Sequence, residues 1–130
     1  MRTTLVATFV LTFLAWSTAQ AVTRWATPFV SIGTGDEIIC SVTNLDKKPQ
    51  SVEVNVVNAV GADITLGGSG SGCVGPLQPN WTCTNEGPTS ASGWCFAATD
   101  STKVRVVLEV TQFAPSGPPP PRFVVPATKQ

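Results

Sequence analysis

Four cysteines are the residues of this chain best suited to chemistry: Cys40, Cys73, Cys83 and Cys95. A zinc site or a redox-active pair would favour a close spacing such as C-x-x-C, and this spacing does not occur in the sequence. An even number of cysteines in a short exported chain is typical of structural disulfides instead. The sequence therefore predicts two disulfide bonds, no metal site and no cofactor.

The first 21 residues have the pattern of a secretory signal peptide. Arg2 precedes an apolar run at residues 5–16, and the segment ends in Ala19-Gln20-Ala21. Cleaved signals have apolar cores of about 7–15 residues, whereas a membrane-spanning helix needs about 20. An uncleaved anchor is the alternative. We predict cleavage after Ala21, a secreted or periplasmic protein, and no membrane insertion of the mature chain.

Composition and charge argue against several classes of function. The chain has eight Lys/Arg and eight Asp/Glu, so loss of Arg2 leaves seven against eight, a net charge of about −1. Without a basic patch, nucleic acid is not an expected partner. Histidine is absent, which excludes Ser-His-Asp and Cys-His catalytic arrangements. The carboxylates fall in expected turns or on outward positions, so we predict that the protein is not an enzyme.

Acidic residues near the expected loops are the remaining candidates for metal binding. Carboxylate oxygens are the ligands that calcium prefers, but no acidic loop of the D-x-D-x-D type occurs. Aspartates in such positions usually form turns by bonding nearby backbone groups, which is the role favoured here. These residues are Asp36, Glu37, Asp46, Asp63 and Asp100.

Alternating apolar and polar residues predict an all-β fold. The alternation runs through residues 37–44, 51–57 and, most regularly, 103–111, while residues 27–32 suggest an edge strand. About seven short strands without a helical period predict an antiparallel, immunoglobulin-like β-sandwich. A polar turn at 46–49 predicts a hairpin of the strands on either side of it.

The expected domain spans residues 22–113, and residues 114–130 form a proline-rich tail. The run of four prolines at 118–121 favours an extended spacer or an ordered cover over a sheet edge. Phe123-Val124-Val125 either returns as a short strand or remains in the tail.

The strand pattern favours one of the three possible cysteine pairings. Cys40 lies on the inward face of an early strand, between Ile38 and Val42. Cys95 lies on a late strand, on the same side as Ala97. We predict that Cys40 and Cys95 pair across the core, which leaves Cys73 to pair with Cys83.

Aromatic residues are candidates for a binding patch. If Cys95 points inward, its neighbours Trp94 and Phe96 point outward, and two large aromatics on one exposed face suggest a ligand surface. Trp81 lies in the segment between Cys73 and Cys83 and is a third candidate. Packing into the core is the commoner role of such residues. Asn80-Trp81-Thr82 also matches the N-glycosylation acceptor pattern, which matters only in a host with that machinery.

Five segments between residues 36 and 111 occur in an order found in other proteins. They are Ile39–Leu45, Lys48-Pro49-Gln50, Cys73–Pro79, Trp94-Cys95-Phe96 and Lys103-Val104-Arg105. In this order the chain resembles a group of small secreted bacterial β-sandwich proteins of uncharacterised function and, more broadly, immunoglobulin-like modules of bacterial envelope and adhesion proteins. It departs from the group at Asn80, where glycine is usual, and at Phe96, where a charged residue is usual.

The resemblance implies a fold and an exported location but no activity. Together with the absence of histidine, which argues against an enzyme, it leads us to expect a non-enzymatic domain with a binding or structural role at or outside the cell envelope. The sequence does not identify the partner, and a protein or a glycan at the cell surface is a candidate. The alternative is a carbohydrate-binding module that uses exposed aromatic residues.

Overall fold

The structure is a computed structural model that describes residues 21–66, 73, 75–112 and 121–130. Residues 1–20 of the expected signal, the glycine-rich segment 67–72, residue 74 and residues 113–120 lie outside the described residues. Among those described there is no helix, and none of them forms a helical span able to cross a membrane. The strands are β1 Thr23–Ala26, β2 Asp36–Asn44, β3 Val52–Val57, β4 Thr82–Glu86, β5 Trp94–Thr99, β6 Val104–Gln112, β7 Pro121–Pro126 and β8 Thr128–Lys129.

Two four-stranded antiparallel sheets pack face to face, which confirms the all-β prediction. Sheet 1 has the order β3-β5-β1-β8, and sheet 2 has the order β4-β2-β6-β7. Because successive side chains of a strand point to opposite faces, the alternating residues of β2, β3 and β6 build a single core between the sheets. Its fully buried members include Ile38, Val42, Val54 and Leu108.

The predicted hairpin of β2 and β3 is wrong. β2 pairs with β4 and β6, whereas β3 pairs with β5 in the other sheet. The two strands therefore face each other across the core. Alternation reports which face of a strand is buried, and that face is the same whether the next strand lies beside it or opposite it.

The first strand also lies earlier than expected. β1 ends at Ala26, and of residues 27–32 only Val30 forms a bridge, with Gly93. Two residues, Pro28 and Phe29, separate this bridge from the hydrogen bond that the Thr27 amide donates to the Cys95 carbonyl. Pro28 lacks the amide hydrogen that a continuous ladder would require.

Described residues beyond 113, which the sequence suggested as a tail, belong to the sandwich. β7 pairs with β6, β8 pairs with β1, and Val125 and Ala127 pack against the core. Of the two alternatives for Phe123–Val125, the structure therefore shows the return strand. Proline stands at both ends of β7, on the outer edge of sheet 2, where it limits pairing with further strands.

Candidate functional site

The Cys40–Cys95 disulfide joins the two sheets through the centre of the core. Cys40 lies on β2 of sheet 2, Cys95 lies on β5 of sheet 1, and their Cα atoms are 5.6 Å apart. Both residues are fully buried. The predicted pairing is confirmed. Because it holds Cys95 in the core, the residues on either side of Cys95, Trp94 and Phe96, lie on the outer face of sheet 1.

The Cys73–Cys83 disulfide bounds a segment that contributes Leu77 to the core. Its Cα atoms are 5.2 Å apart, which confirms the second predicted pairing. Within the enclosed segment, Leu77 is buried against the core and exchanges two backbone hydrogen bonds of 2.8 and 3.0 Å with Gln50. The disulfide thus anchors this buried side chain beside β3 and β4. We call the Leu77 side chain and its backbone bonds to Gln50 the Leu77 plug.

Asn44, at the end of β2, ties this plug to the sheets. Its side-chain nitrogen donates to the carbonyls of Leu77, at 2.8 Å, and Lys48, at 2.9 Å. Its side-chain oxygen accepts from the amide of Asp46 at 2.8 Å. The residue is fully buried, so these bonds replace those that water would otherwise supply. Sequence patterning indicated a turn here but gave no sign of this network.

Trp81 lies immediately before the first residue of β4, outside the core. Its side chain is 61% exposed, and its backbone is held by hydrogen bonds with Gln78 and Asn44. Asn80, immediately before it, has φ 63°, a left-handed conformation that asparagine tolerates in turns better than most residues. Trp81 is therefore presented on a fixed turn of sheet 2.

Trp94 and Phe96 point away from the core, as predicted from the inward direction of Cys95. Both are half-buried, and their rings meet edge to face with centroids 6.2 Å apart. Gly93 helps to position Trp94, because a Cβ atom at Gly93 would lie 2.6 Å from the Val57 carbonyl oxygen. Only glycine permits this close approach of the two backbones.

The structure brings two of the three predicted patch residues together and separates the third. Trp94 and Phe96 share the outer face of sheet 1, whereas Trp81 precedes β4 in sheet 2. Along the sandwich, Trp94 pairs with Val57 at one end of β3, and Trp81 lies at the end where β2 finishes. Trp81 is thus a separate surface feature.

Polar residues beside this aromatic pair were not singled out from the sequence. Asn55 lies opposite Phe96, and Glu53 and Arg24 lie opposite Ala98 from either side. The amide of Asn55 donates to the Glu53 carboxylate at 3.0 Å. Alternation on β3 places Glu53 and Asn55 outward, but their neighbours are set by a pairing that joins distant parts of the chain.

The aspartates considered as calcium ligands form hydrogen bonds within turns and between loops that are distant in sequence. Asp100 accepts from the Ser51 amide at 3.0 Å, and Asp63 accepts from Thr65. Asp46 accepts from the Ser101 hydroxyl at 2.9 Å and from the Lys47 amide, and these bonds lower the pKa of Asp46. Among the described residues, no group of three or more His, Cys, Asp or Glu is arranged to hold a metal ion.

Glutamates crowd one end of the outer face of sheet 2. Glu86 and Glu109 both lie opposite Ile39, and Glu37 is two residues before it on the same face. Burial raises the pKa of Glu37, and the negative charge of Glu86 raises it further. Folding therefore makes protonation of Glu37 easier than it is in the unfolded chain.

Glu37→Gln is expected to stabilise the protein slightly at neutral pH. Because the folded pKa is raised, the contribution of Glu37 to stability is complete below its ordinary pKa and is lost as pH rises through the folded value. Removal of the charge should raise the free energy of unfolding at pH 7 by up to about 0.5 kcal/mol, with little effect near pH 4. Urea unfolding at both pH values measures this, and Glu86→Gln should act in the same direction. Equal effects of Glu37→Gln at the two pH values would contradict it.

Comparisons with known proteins identify no relative, so the functional proposal rests on the geometry described above. No family model matches the sequence, no curated protein matches it, and no solved structure matches the fold.

Proposed function

We propose that the protein is an exported, immunoglobulin-like β-sandwich that serves as a binding or structural domain at or outside the cell envelope. The single observation that carries this proposal is the pair of disulfides, one of which crosses the core between the sheets. Such bonds persist in oxidising compartments and are rare in the reducing cytosol. Cys40 and Cys95 join the two sheets in the manner of immunoglobulin domains.

A role without catalysis fits the residues present. The sequence contains no histidine, the commonest general base. Two of the aspartates are engaged in hydrogen bonds between loops: Asp46 with Ser101 and Asp100 with Ser51. The disulfides and the Leu77 plug hold the framework, which leaves the outer faces of the sheets for contact with a partner.

Carbohydrate binding is the second candidate function. The observation that favours it is the edge-to-face pair of Trp94 and Phe96 on the outer face of sheet 1. Aromatic rings with an apolar face and polar neighbours suit ligands that are apolar on one side and hydrated on the other.

Export and oxidation test the proposal directly. The full-length chain is expressed in a bacterial host, the cells are fractionated, and the protein is sequenced from its N-terminus and mapped without reduction. We expect a product outside the cytoplasm that begins at Val22 and contains both Cys40–Cys95 and Cys73–Cys83. A cytoplasmic product with an intact N-terminus and four free thiols would overturn the proposal.

A further inference from the structure

The outer face of sheet 1 has a gap at Ala98. On one side Ala98 pairs with Glu53 of β3, and on the other it pairs with Arg24 of β1. Neighbouring strands are about 4.8 Å apart, so the two charged residues stand about 10 Å apart with only a methyl group between them. Both charged residues are exposed. The gap therefore has a small apolar floor between an anionic and a cationic side.

The aromatic pair closes one end of this gap. Phe96 lies two residues before Ala98 on the same face, about 7 Å away along the strand. Trp94 packs against Phe96 at an interplanar angle of 89°, so the two rings present different faces to a ligand. Asn55 stands opposite Phe96 and bonds the Glu53 carboxylate, which orients that carboxylate beside the gap.

We propose that this gap, formed by Arg24, Glu53, Asn55, Trp94, Phe96 and Ala98, binds one pyranose ring of a neutral glycan. The inference rests on the proposed function, and it assigns the ligand class and the surface. A sugar ring offers an apolar C–H face that packs on aromatic rings and hydroxyl groups that both donate and accept hydrogen bonds.

The charged groups fit this occupant in sign and in spacing. Glu53 accepts hydrogen bonds, Arg24 donates them, and the side-chain oxygen of Asn55 accepts them. Hydroxyls on opposite sides of one ring satisfy a carboxylate and a guanidinium together. An apolar ligand would displace the water bound to these groups and would offer no hydrogen bonds in its place, which is unfavourable.

Glycan binding by the protein with both disulfides formed tests the inference. An array of neutral hexose and N-acetylhexosamine oligosaccharides identifies a retained glycan, which is then titrated into ¹⁵N-labelled protein. We expect the largest amide shifts at Arg24, Phe96 and Ala98. Phe96→Ala should weaken binding about tenfold through loss of ring packing. Glu53→Gln, an exposed change that spares the core, should weaken it about three- to tenfold.

Trp81→Ala is the matched control, because Trp81 is an exposed tryptophan in the turn before β4, away from sheet 1. It should leave the affinity unchanged within about twofold, since a ring at a remote site makes no contact with a ligand in this gap. The inference is overturned if no glycan is retained, if the shifts cluster at Trp81, or if Glu53→Gln and Phe96→Ala both bind as the unaltered protein does. Export with both disulfides but without glycan binding would overturn this inference alone and leave the proposed function standing.

Discussion

Replacement of both Cys40 and Cys95 by alanine is expected to lower the free energy of unfolding by about 4 kcal/mol. The two residues are 55 apart in sequence, so their bond removes much of the loop entropy of the unfolded chain. Both are also fully buried, and alanine leaves a space at the centre of the core. Since a small domain has about 5–15 kcal/mol in total, the variant should be only marginally folded.

Cys73→Ala with Cys83→Ala is the matched comparison. This bond joins two cysteines that are only 10 residues apart in sequence, and the loop-entropy model assigns about 3 kcal/mol to it. Urea unfolding of the three proteins, followed by tryptophan fluorescence, measures both losses. An equal or smaller loss for the Cys40/Cys95 variant would contradict the role of this bond as the main link between the sheets.

Asn44→Ala is expected to destabilise the protein by about 3 kcal/mol. The change removes three side-chain hydrogen bonds and leaves the carbonyls of Leu77 and Lys48 without those donors. Buried polar groups that lose their partners cost about 1–3 kcal/mol, which exceeds the net worth of an ordinary hydrogen bond. The loss should also free the Leu77 plug, so amide exchange at Gln50 and Leu77 should accelerate.

Asn58→Ala provides the control for burial. Asn58 also accepts two backbone hydrogen bonds, from Val60 and Ala62, but in an exposed turn. Water can replace these bonds, so Asn58→Ala should lower the free energy of unfolding by about 1 kcal/mol or less. Chemical denaturation of both variants checks the difference, and a loss for Asn58→Ala as large as that for Asn44→Ala would show that burial of Asn44 is not the cause.

The same framework supports the ligand site proposed on the outer face of sheet 1. Inward residues of β5 are held by the disulfide at Cys95 and by packing of Ala97 in the core. Their outward neighbours Phe96 and Ala98 are thereby placed on a stiff surface. A rigid strand positions binding groups with less loss of conformational freedom than a mobile loop would.

Several features could be predicted because they depend on residues that are close in sequence. Cys95 points inward, so Trp94 and Phe96 point outward, and this follows from the two-residue period of a strand. The alternation in β2 and β6 likewise indicated which side chains form the core. The disulfide pairing followed from the same faces, since two inward cysteines on strands of one sandwich can meet across its core.

Other features depend on which strands are neighbours. The hairpin of β2 and β3 was expected because a short polar turn joins them, yet the chain crosses between sheets there. The grouping of Glu53 and Arg24 around Ala98 requires β5 to lie between β3 and β1. No local pattern encodes that order, because it follows from the balance of packing over the whole core.

By itself, then, the sequence determined the all-β class and the buried faces, since backbone geometry links each of these to nearby residues. Through the buried faces it also favoured the cysteine pairing. Only the tertiary structure decided that β7 and β8 complete the two sheets and that Trp81 stands apart from Trp94 and Phe96. It also decided that Asn44 secures the Leu77 plug. These arrangements join residues distant in sequence, and hydrogen bonding and apolar burial select them only when the whole chain folds.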